Sequence, residues 1–445
     1  MKKRWVFSTA SVYHGLPNSA IRDYSKSIMM RFSLYTLYLL VLCVLPVSAE
    51  SSLSVWDFKY TDPLTQKAMR RVDNNFRAKY PEINLEHIGY YDQQYIPSLR
   101  TALLAGTGPD ILWLHHGVEF GEFESYLEVL DPYRTDSSVL FREESIEACR
   151  TEKGELKALP LTFQGMGWYY NKDLFREAGL DPEKAPEDWD DFFKACAVLL
   201  EKGIVPIAAG NNRPLTTEFI RRSLITAFFT DEEIRNFYRQ GRGIRSPRYR
   251  HIIEFCDSLR DRGYFHEEGL FRPYFSFASD TFSAGEAAMI PGLLSDIAHW
   301  KNFSDALGSD NVGYFPNLHH PDMVRPGAQL LQDAGVLICI NKNSRNKEAA
   351  YAYLEHLFSL ESQKILVEDL GMLSPLKDIS LDREKYPVLE SIEKALNYTG
   401  EDSERFIPST RVSDLQYRLD DLLINTREIT PDEYLIKMID ELKLY

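Results

Sequence analysis

The apolar positions change period along the chain in a repeating order. Leu53-Ser-Val-Trp-Asp-Phe58 reads as a short strand, and from Asp62 to Lys79 the apolar residues Met69, Val72 and Phe76 recur at helical spacing until Pro81 stops the helix. Ile83 to Ile88 alternates as a strand does, Tyr95 to Leu104 is helical and closed by Gly106, and Asp110 to Leu114 is a buried strand. This β-α-β-α-β order predicts a parallel sheet with helices on both faces. A second unit begins near Leu156, with an aromatic strand over Gly165–Tyr170 and a helix ending at Gly179. Asp188 is placed to cap the next helix, with Asp191 three residues on, and that helix returns at Gly203 to the strand Ile204–Ala208. Further helices are predicted over 217–239 and 247–262, extended chain within 286–297 and from Asn311 to Pro316, and a strand over Val336–Ile340. Lys347 to Phe358 is an amphipathic helix, and the last stretch is helical, punctuated by Pro408 and Pro431. Two α/β lobes joined by ordered crossings fit this pattern better than separate domains on flexible linkers.

One run has no such period. Phe32–Val47 is apolar throughout, follows Met29, Met30 and Arg31, and ends in the small residues of Val47-Ser48-Ala49. This is the layout of a secretory signal peptide and is short for a membrane span. Residues 1–28 are polar, so translation is expected to begin at Met29 or Met30, with residues 1–49 an extension plus a signal at 29–49. Cys43 follows Leu42, where a lipid-modified cysteine needs a small residue before it, so a lipid anchor is not expected. The expected location is the periplasm.

Composition then narrows the classes. The 445 residues are 44% hydrophobic and 26% charged, as in a globular protein, and the net charge of −15 gives no general attraction to nucleic acid or anionic lipid. Cys149, Cys196, Cys256 and Cys339 remain after the signal. Export permits disulfides, but the spacing is irregular, and Cys196 and Cys339 lie in apolar segments that suit buried thiols. There is no zinc spacing, so no metal or cofactor is expected.

Several segments, in order, resemble a known family. They are Ala105-Gly-Thr-Gly-Pro-Asp110, Tyr169-Tyr-Asn-Lys-Asp-Leu-Phe175 with Ala178-Gly-Leu-Asp-Pro182, Pro186-x-x-Trp189, Phe282-Ser-Ala-Gly-Glu-Ala-Ala-Met289, Gly313-Tyr-Phe-Pro316 and Asn341-Lys-Asn-Ser-x-Asn-Lys-Glu-Ala-Ala350. Together they cover nearly all of 53–440 and resemble the extracellular solute-binding proteins of ABC transporters, the maltose-binding-like sugar group. The resemblance implies a two-lobed periplasmic-binding fold of type II-like form, each lobe a mainly parallel sheet flanked by helices, with the ligand in the cleft between them. It implies lobe one at 50–160 plus 325–374 and lobe two at 161–324 plus 375–445. It also implies a monomer that captures a carbohydrate or related solute, closes about a hinge, and delivers the solute to a membrane permease.

A sugar cleft needs aromatic platforms for C–H faces and carboxylates, amides and arginines for hydroxyls. Residues of these types follow the predicted strands: Trp56, Asp57 and Tyr60 after the first, Tyr91 after the second, Trp113 and His115 at the third. Phe163 and Gln164 sit at a lobe crossing, Asn211 and Asn212 after the strand ending near Ala209, and Asp333 before the Val336 strand. Each has a plainer alternative: Trp56 and Trp113 as core aromatics, Asn211-Asn212 as a turn. Adjacent His115 and His116 diverge, which argues against a metal pair. The aromatics of Trp168-Tyr169-Tyr170 read as core. Two departures from the family pattern bear on the ligand. Pro291-Gly-Leu-Leu-Ser295 lacks the usual aromatic, and an ungapped reading places Asp414, with Arg411 nearby, where maltose binders present a stacking aromatic. Such a cleft suits a smaller, more polar or charged solute. The rival classes are a secreted carbohydrate-active hydrolase and a sensor or adhesin with the same two lobes. The sequence carries no GxSxG, HExxH or cysteine–histidine signature for the former.

Overall fold

A computed structural model describes residues 51–131, 141–147, 149–151, 153–240, 242–294, 298–325, 329–377, 379, 381–395, 399–400 and 410–442. The expected signal at 29–49 lies outside these residues, and among them no helix is long and apolar enough to cross a membrane.

Among the described residues nine strands form one hydrogen-bonded sheet: β1 Ser51–Asp57, β2 Ile83–Gly89, β3 Ile111–His115, β4 Leu159–Asn171, β5 Val205–Ile207, β6 Ala287–Leu293, β7 Val312–Phe315, β8 Gln329–Ile340 and β9 Thr399–Gly400. Their order is β2-β1-β3-β8-β4-β6-β5, with β7 beside β4 and β9 beside β8. Parallel pairing holds at β1/β3 and β5/β6. The two long strands behave differently: β4 and β8 pair antiparallel with each other, β8 also with β3, and β4 also with β6 and β7. β8 is also longer than the Val336–Ile340 core suggested, because its first half runs through polar Gln332 and Asp333, which hide a strand from a hydrophobic pattern.

This pairing makes a two-lobed α/β molecule. One core gathers Val55, Val72, Phe76, Leu112, Leu161, Val336–Ile340, Leu357 and Leu376. Beyond the crossing, Trp168 and Tyr170 of β4 face a second core with Phe192, Ile252 and Tyr434, while Met166 and Tyr169 face a third with Phe282, Trp300 and Leu389. Over Trp168-Tyr169-Tyr170 the side chains alternate with the period of two that a strand buried on both faces requires, while Met166 breaks that period. The alternation confirms that the Trp168-Tyr169-Tyr170 aromatics are core. The Tyr170 ring lies over Gly313 of β7, where an added Cβ would stand 2.1 Å from it, so that position admits only glycine. Between the lobes, the β4/β8 register shifts at Pro160/Thr162 and again at Thr162/Gln164. Such irregularities bend the strands where the sheet passes from one lobe to the other.

Asp188 caps Trp189–Glu201 as expected, accepting from Asp191 N at 2.8 Å, and the structure adds a cap at Asp62, which accepts from Thr65 N at 2.7 Å at the start of the helix Pro63–Lys79. The helical stretch predicted over 217–239 is two helices, Leu215–Phe228 and Asp231–Gln240. Cys196, Cys256 and Cys339 are buried free thiols, and the buried Cys149 thiol donates to Ser145 O at 3.3 Å.

Candidate functional site

The strand registers bring strand ends to one crossing. His115, the last residue of β3, pairs with Val336, which pairs with Thr162 at the crossing. β1 is parallel to β3 and ends on the same side. In the other lobe, Leu293 at the end of β6 pairs with Met166, just past the crossing, and β5 runs parallel to β6. β7 likewise runs toward it, from Val312 opposite Asn171 to Phe315 opposite Trp168. The carboxyl ends of five strands from two lobes therefore converge on the crossing, the geometry in which α/β proteins place ligands. Val118, which follows β3, packs against the lobe-two core, so the lobes touch there.

On the lobe-one side, Trp56 is half-buried with its ring 4.8 Å from Tyr90, and Tyr91 is 70% exposed. Trp113 is only 1% exposed and follows its plainer alternative: Tyr95 Oη donates to Trp113 O at 2.7 Å and accepts from Trp113 N at 3.0 Å, which fixes it in the core. His115 lies 4.2 Å from the Phe58 ring, and Glu119 accepts from both His115 N at 2.8 Å and Nδ1 at 3.1 Å. Burial opposes charge on Glu119, but the His115 contacts outweigh it and lower its pKa. Among the described residues no cluster of three His, Cys, Asp or Glu could hold a metal.

Asp57 is fully buried and its oxygens are already engaged. Oδ1 accepts from Lys59 N at 2.7 Å and Tyr60 N at 2.6 Å, and Oδ2 meets His87 Nε2 at 2.5 Å. The Tyr60 ring stacks on His87 at 4.2 Å. Asp57 is thus committed to the lobe-one core, whereas Tyr60 is half-buried and keeps part of its surface exposed. An aspartate after a strand looks the same in sequence whether it faces solvent or a buried histidine 30 residues on.

On the lobe-two side Asn211 is also buried and consumed. Its Nδ2 donates to Thr217 Oγ1 at 2.9 Å and Asn425 Oδ1 at 3.0 Å, and Asn425 Nδ2 donates to Asn211 O at 2.6 Å. Asn212 is exposed, its Oδ1 accepting from Arg213 N at 2.7 Å. The loop rests on the segment 269–274: Asn211 N donates to Gly269 O at 2.9 Å, Asn212 N to Arg272 O at 3.1 Å, and a Cβ on Gly210 would stand 2.2 Å from Tyr274 Cα. That segment presents Phe271 and leads into Phe275, 62% and 44% exposed, with Phe275 6.4 Å from His299, which follows β6. Phe275 thus stands between the loops after β5 and β6. The run Phe271-Arg-Pro-Tyr-Phe-Ser-Phe277 is the signal that could have found it. Nearby, the Arg213 guanidinium lies 5.2 Å from the Tyr417 ring, and Tyr417 Oη donates to Glu218.

Gln164 is buried at the crossing beside Gly335, whose added Cβ would stand 2.8 Å from Gln164 Cβ. Asp414 is exposed on the helix Thr410–Asp420. The side chains of Phe163, Asp333 and Arg411 lie outside the described part of the structure, although their backbones belong to β4, β8 and that helix.

Known proteins share this architecture. A chitin oligosaccharide binding protein superposes with a TM-score of 0.75 at 22% identity, over 88% of this chain and 98% of its own. Among sequence relatives, a probable amino-acid ABC transporter periplasmic-binding protein of Sinorhizobium fredii is 24% identical over 54% of this chain and 53% of its own length. The sn-glycerol-3-phosphate-binding periplasmic protein UgpB of Brucella abortus is 24% identical over 58% of this chain and 57% of its own. The matched region thus spans about half the length of these two relatives. The model of the bacterial extracellular solute-binding proteins matches residues 72–389. The chain belongs to that family, as its motifs implied.

Proposed function

We propose that the protein captures a carbohydrate or related polyhydroxylated solute outside the cytoplasm and hands it unchanged to the permease of an ABC importer. The observation that carries this reading is the convergence of five strand ends on one crossing, with exposed aromatics on both sides: Tyr91 beside Trp56 and Tyr90, and Phe271 with Phe275. Aromatic faces suit the C–H surfaces of a sugar, while Asn212, Arg213 and Asp414 offer polar groups to its hydroxyls. The solute-binding family and the oligosaccharide-binding neighbour support the reading. Lobe one is taken as 50–160 plus 325–374 and lobe two as 161–324 plus 375–445, with hinge bending at the β4/β8 crossing. A ligand touching both lobes stabilises the closed form by its differential affinity. Export by the signal at 29–49, a periplasmic location without a lipid anchor, a monomeric state and the absence of catalysis complete the proposal.

The test is a thermal-shift panel of chito-oligosaccharides, raffinose, monosaccharides, amino sugars, sn-glycerol 3-phosphate and amino acids, followed by calorimetry. A solute at about a hundred times its Kd adds roughly 2.7 kcal/mol, a rise of a few degrees in Tm. The bound solute should be recovered intact, and small-angle scattering should show compaction. A response to amino acids alone would overturn the carbohydrate reading, and a converted solute would overturn the binding-only reading.

A further inference from the structure

Beneath the lobe-one wall lies a chain of buried polar groups. His87 ends its strand's buried side with both ring nitrogens engaged: Nε2 with Asp57 Oδ2 at 2.5 Å and Nδ1 with Asp73 Oδ2 at 2.9 Å. Tyr353 Oη donates to the other Asp73 oxygen at 2.8 Å, and Tyr60 stacks on the ring. Ionised carboxylates only accept, so a histidine between two of them donates from both nitrogens and is an imidazolium. One end of this bridge, Asp57, holds the Lys59 and Tyr60 amides with its free oxygen, and its carbonyl accepts from Tyr90 N at 2.8 Å. The bridge is thereby tied to the backbone on both sides of the Trp56–Tyr90 pair.

We propose that His87 is a positioning residue for solute capture: its doubly donating ring fixes Asp57, and through Asp57 the turn and loop that present Trp56, Tyr90 and Tyr91 to the cleft. This rests on the capture function proposed above. The groups facing the ring are few. Asp57 comes from β1, Tyr60 from the turn after it, Asp73 from the helix Pro63–Lys79, Trp113 from β3 and Tyr353 from the helix Lys347–Leu357. Arg70 and Arg77 of the first helix act on the same cluster through Tyr60. Burial disfavours charge on the ring, but the hydrogen bonds of Asp57 and Asp73 overcome it and raise the pKa to about 9. The ring therefore stays charged across the neutral range.

The experiment uses the full chain with 15N-labelled histidine, and the variants His87→Gln and Asp73→Asn, with chitotriose as the probe. In the wild type both His87 nitrogens should carry imidazolium shifts at pH 7, with a midpoint near 9. A neutral ring titrating near the ordinary histidine value would overturn the proposal without any variant being made. In His87→Gln the amides of Lys59, Tyr60 and Tyr90 should exchange at least about tenfold faster, with Ile207 and other lobe-two amides unchanged. Asp73→Asn should give a smaller change at the same three amides. Unchanged amides, or acceleration spread evenly over lobe one, would reduce His87 to general fold support. The chitotriose Kd should rise about tenfold in His87→Gln, since a site depends on the shell that holds its geometry. If the wild type does not bind chitotriose, capture of that sugar fails, while the histidine spectrum and the amide exchange still decide the role of His87.

Discussion

His87 in lobe one and His299 in lobe two are both buried, and the two lobes put them in opposite states. His87 lies between two carboxylates and is held charged, with a pKa near 9. His299 accepts at Nδ1 from Leu293 N at 3.0 Å, stacks on Phe303 at 5.0 Å and has Tyr274 and Tyr169 around it. Among the described residues no carboxylate offsets desolvation, and burial lowers its pKa to about 3. The same residue type thus braces the end of β1 by charge in one lobe and the end of β6 by a neutral hydrogen bond and ring packing in the other. Burial alone does not decide a histidine's charge; the partners folded in with it do.

Removal of the two rings is the strongest way to break this contrast. His87→Leu leaves Asp57 and Asp73 buried without their shared donor, and unpaired buried charge costs about 3–5 kcal/mol. His299→Leu loses one hydrogen bond and some aromatic packing, about 1–3 kcal/mol, because the Leu293 amide is left without its acceptor. Urea denaturation of both variants measures the gap, and equal losses would show that His87 is not a charged bridge. Asp73→Asn, which keeps the shape and removes one charge, should fall between them.

Titration gives the next largest effect and acts in opposite directions. The folded pKa of His87 lies above the unfolded value of 6.5, so its contribution is whole below pH 6.5 and is lost as pH rises toward 9. At about 1.4 kcal/mol per unit that is roughly 3 kcal/mol by pH 9. His299 has its folded pKa below 6.5, so the unfolded chain takes up the proton first and stability falls as pH drops from 6.5 toward 3. Stability should peak near pH 6.5. His87→Leu should flatten the alkaline limb and His299→Leu the acid limb, each leaving the other in place.

The contrast also marks where sequence reasoning stops. Period, caps and glycines reveal most elements: the helix Pro63–Lys79 by the spacing of Met69, Val72 and Phe76, the helix Trp189–Glu201 behind Asp188, and the core strand at Tyr169. These are local signals, written within a few residues of their effect. The first half of β8 was hidden because its polar residues break the apolar pattern. The candidate site was legible by location only. Strand ends do meet at the crossing, but which side chains are free to face a ligand depends on partners far along the chain. Asp57 looked like a ligand group until His87 claimed it, and Asn211 until Asn425 did. No strand precedes Phe275 to mark it; its place comes from the close fit of Gly210 on Tyr274.

The smallest expected effect is the control that makes the contrast specific. Each lobe has an aspartate capping one helix, Asp62 on Thr65 N and Asp188 on Asp191 N, at 2.7 and 2.8 Å. The geometry is the same and neither cap touches a buried charge, so Asp62→Ala and Asp188→Ala should each cost about 1 kcal/mol. Both losses should appear in urea denaturation at pH 6.5, and neither variant should change the slope of stability against pH between 6.5 and 9, where His87 acts. If Asp62→Ala cost several times more than Asp188→Ala, lobe one would be the more fragile lobe at every position. The large loss expected of His87→Leu would then measure that fragility and say nothing about charge. Equal caps with unequal histidines leave the two carboxylates around His87 as the cause.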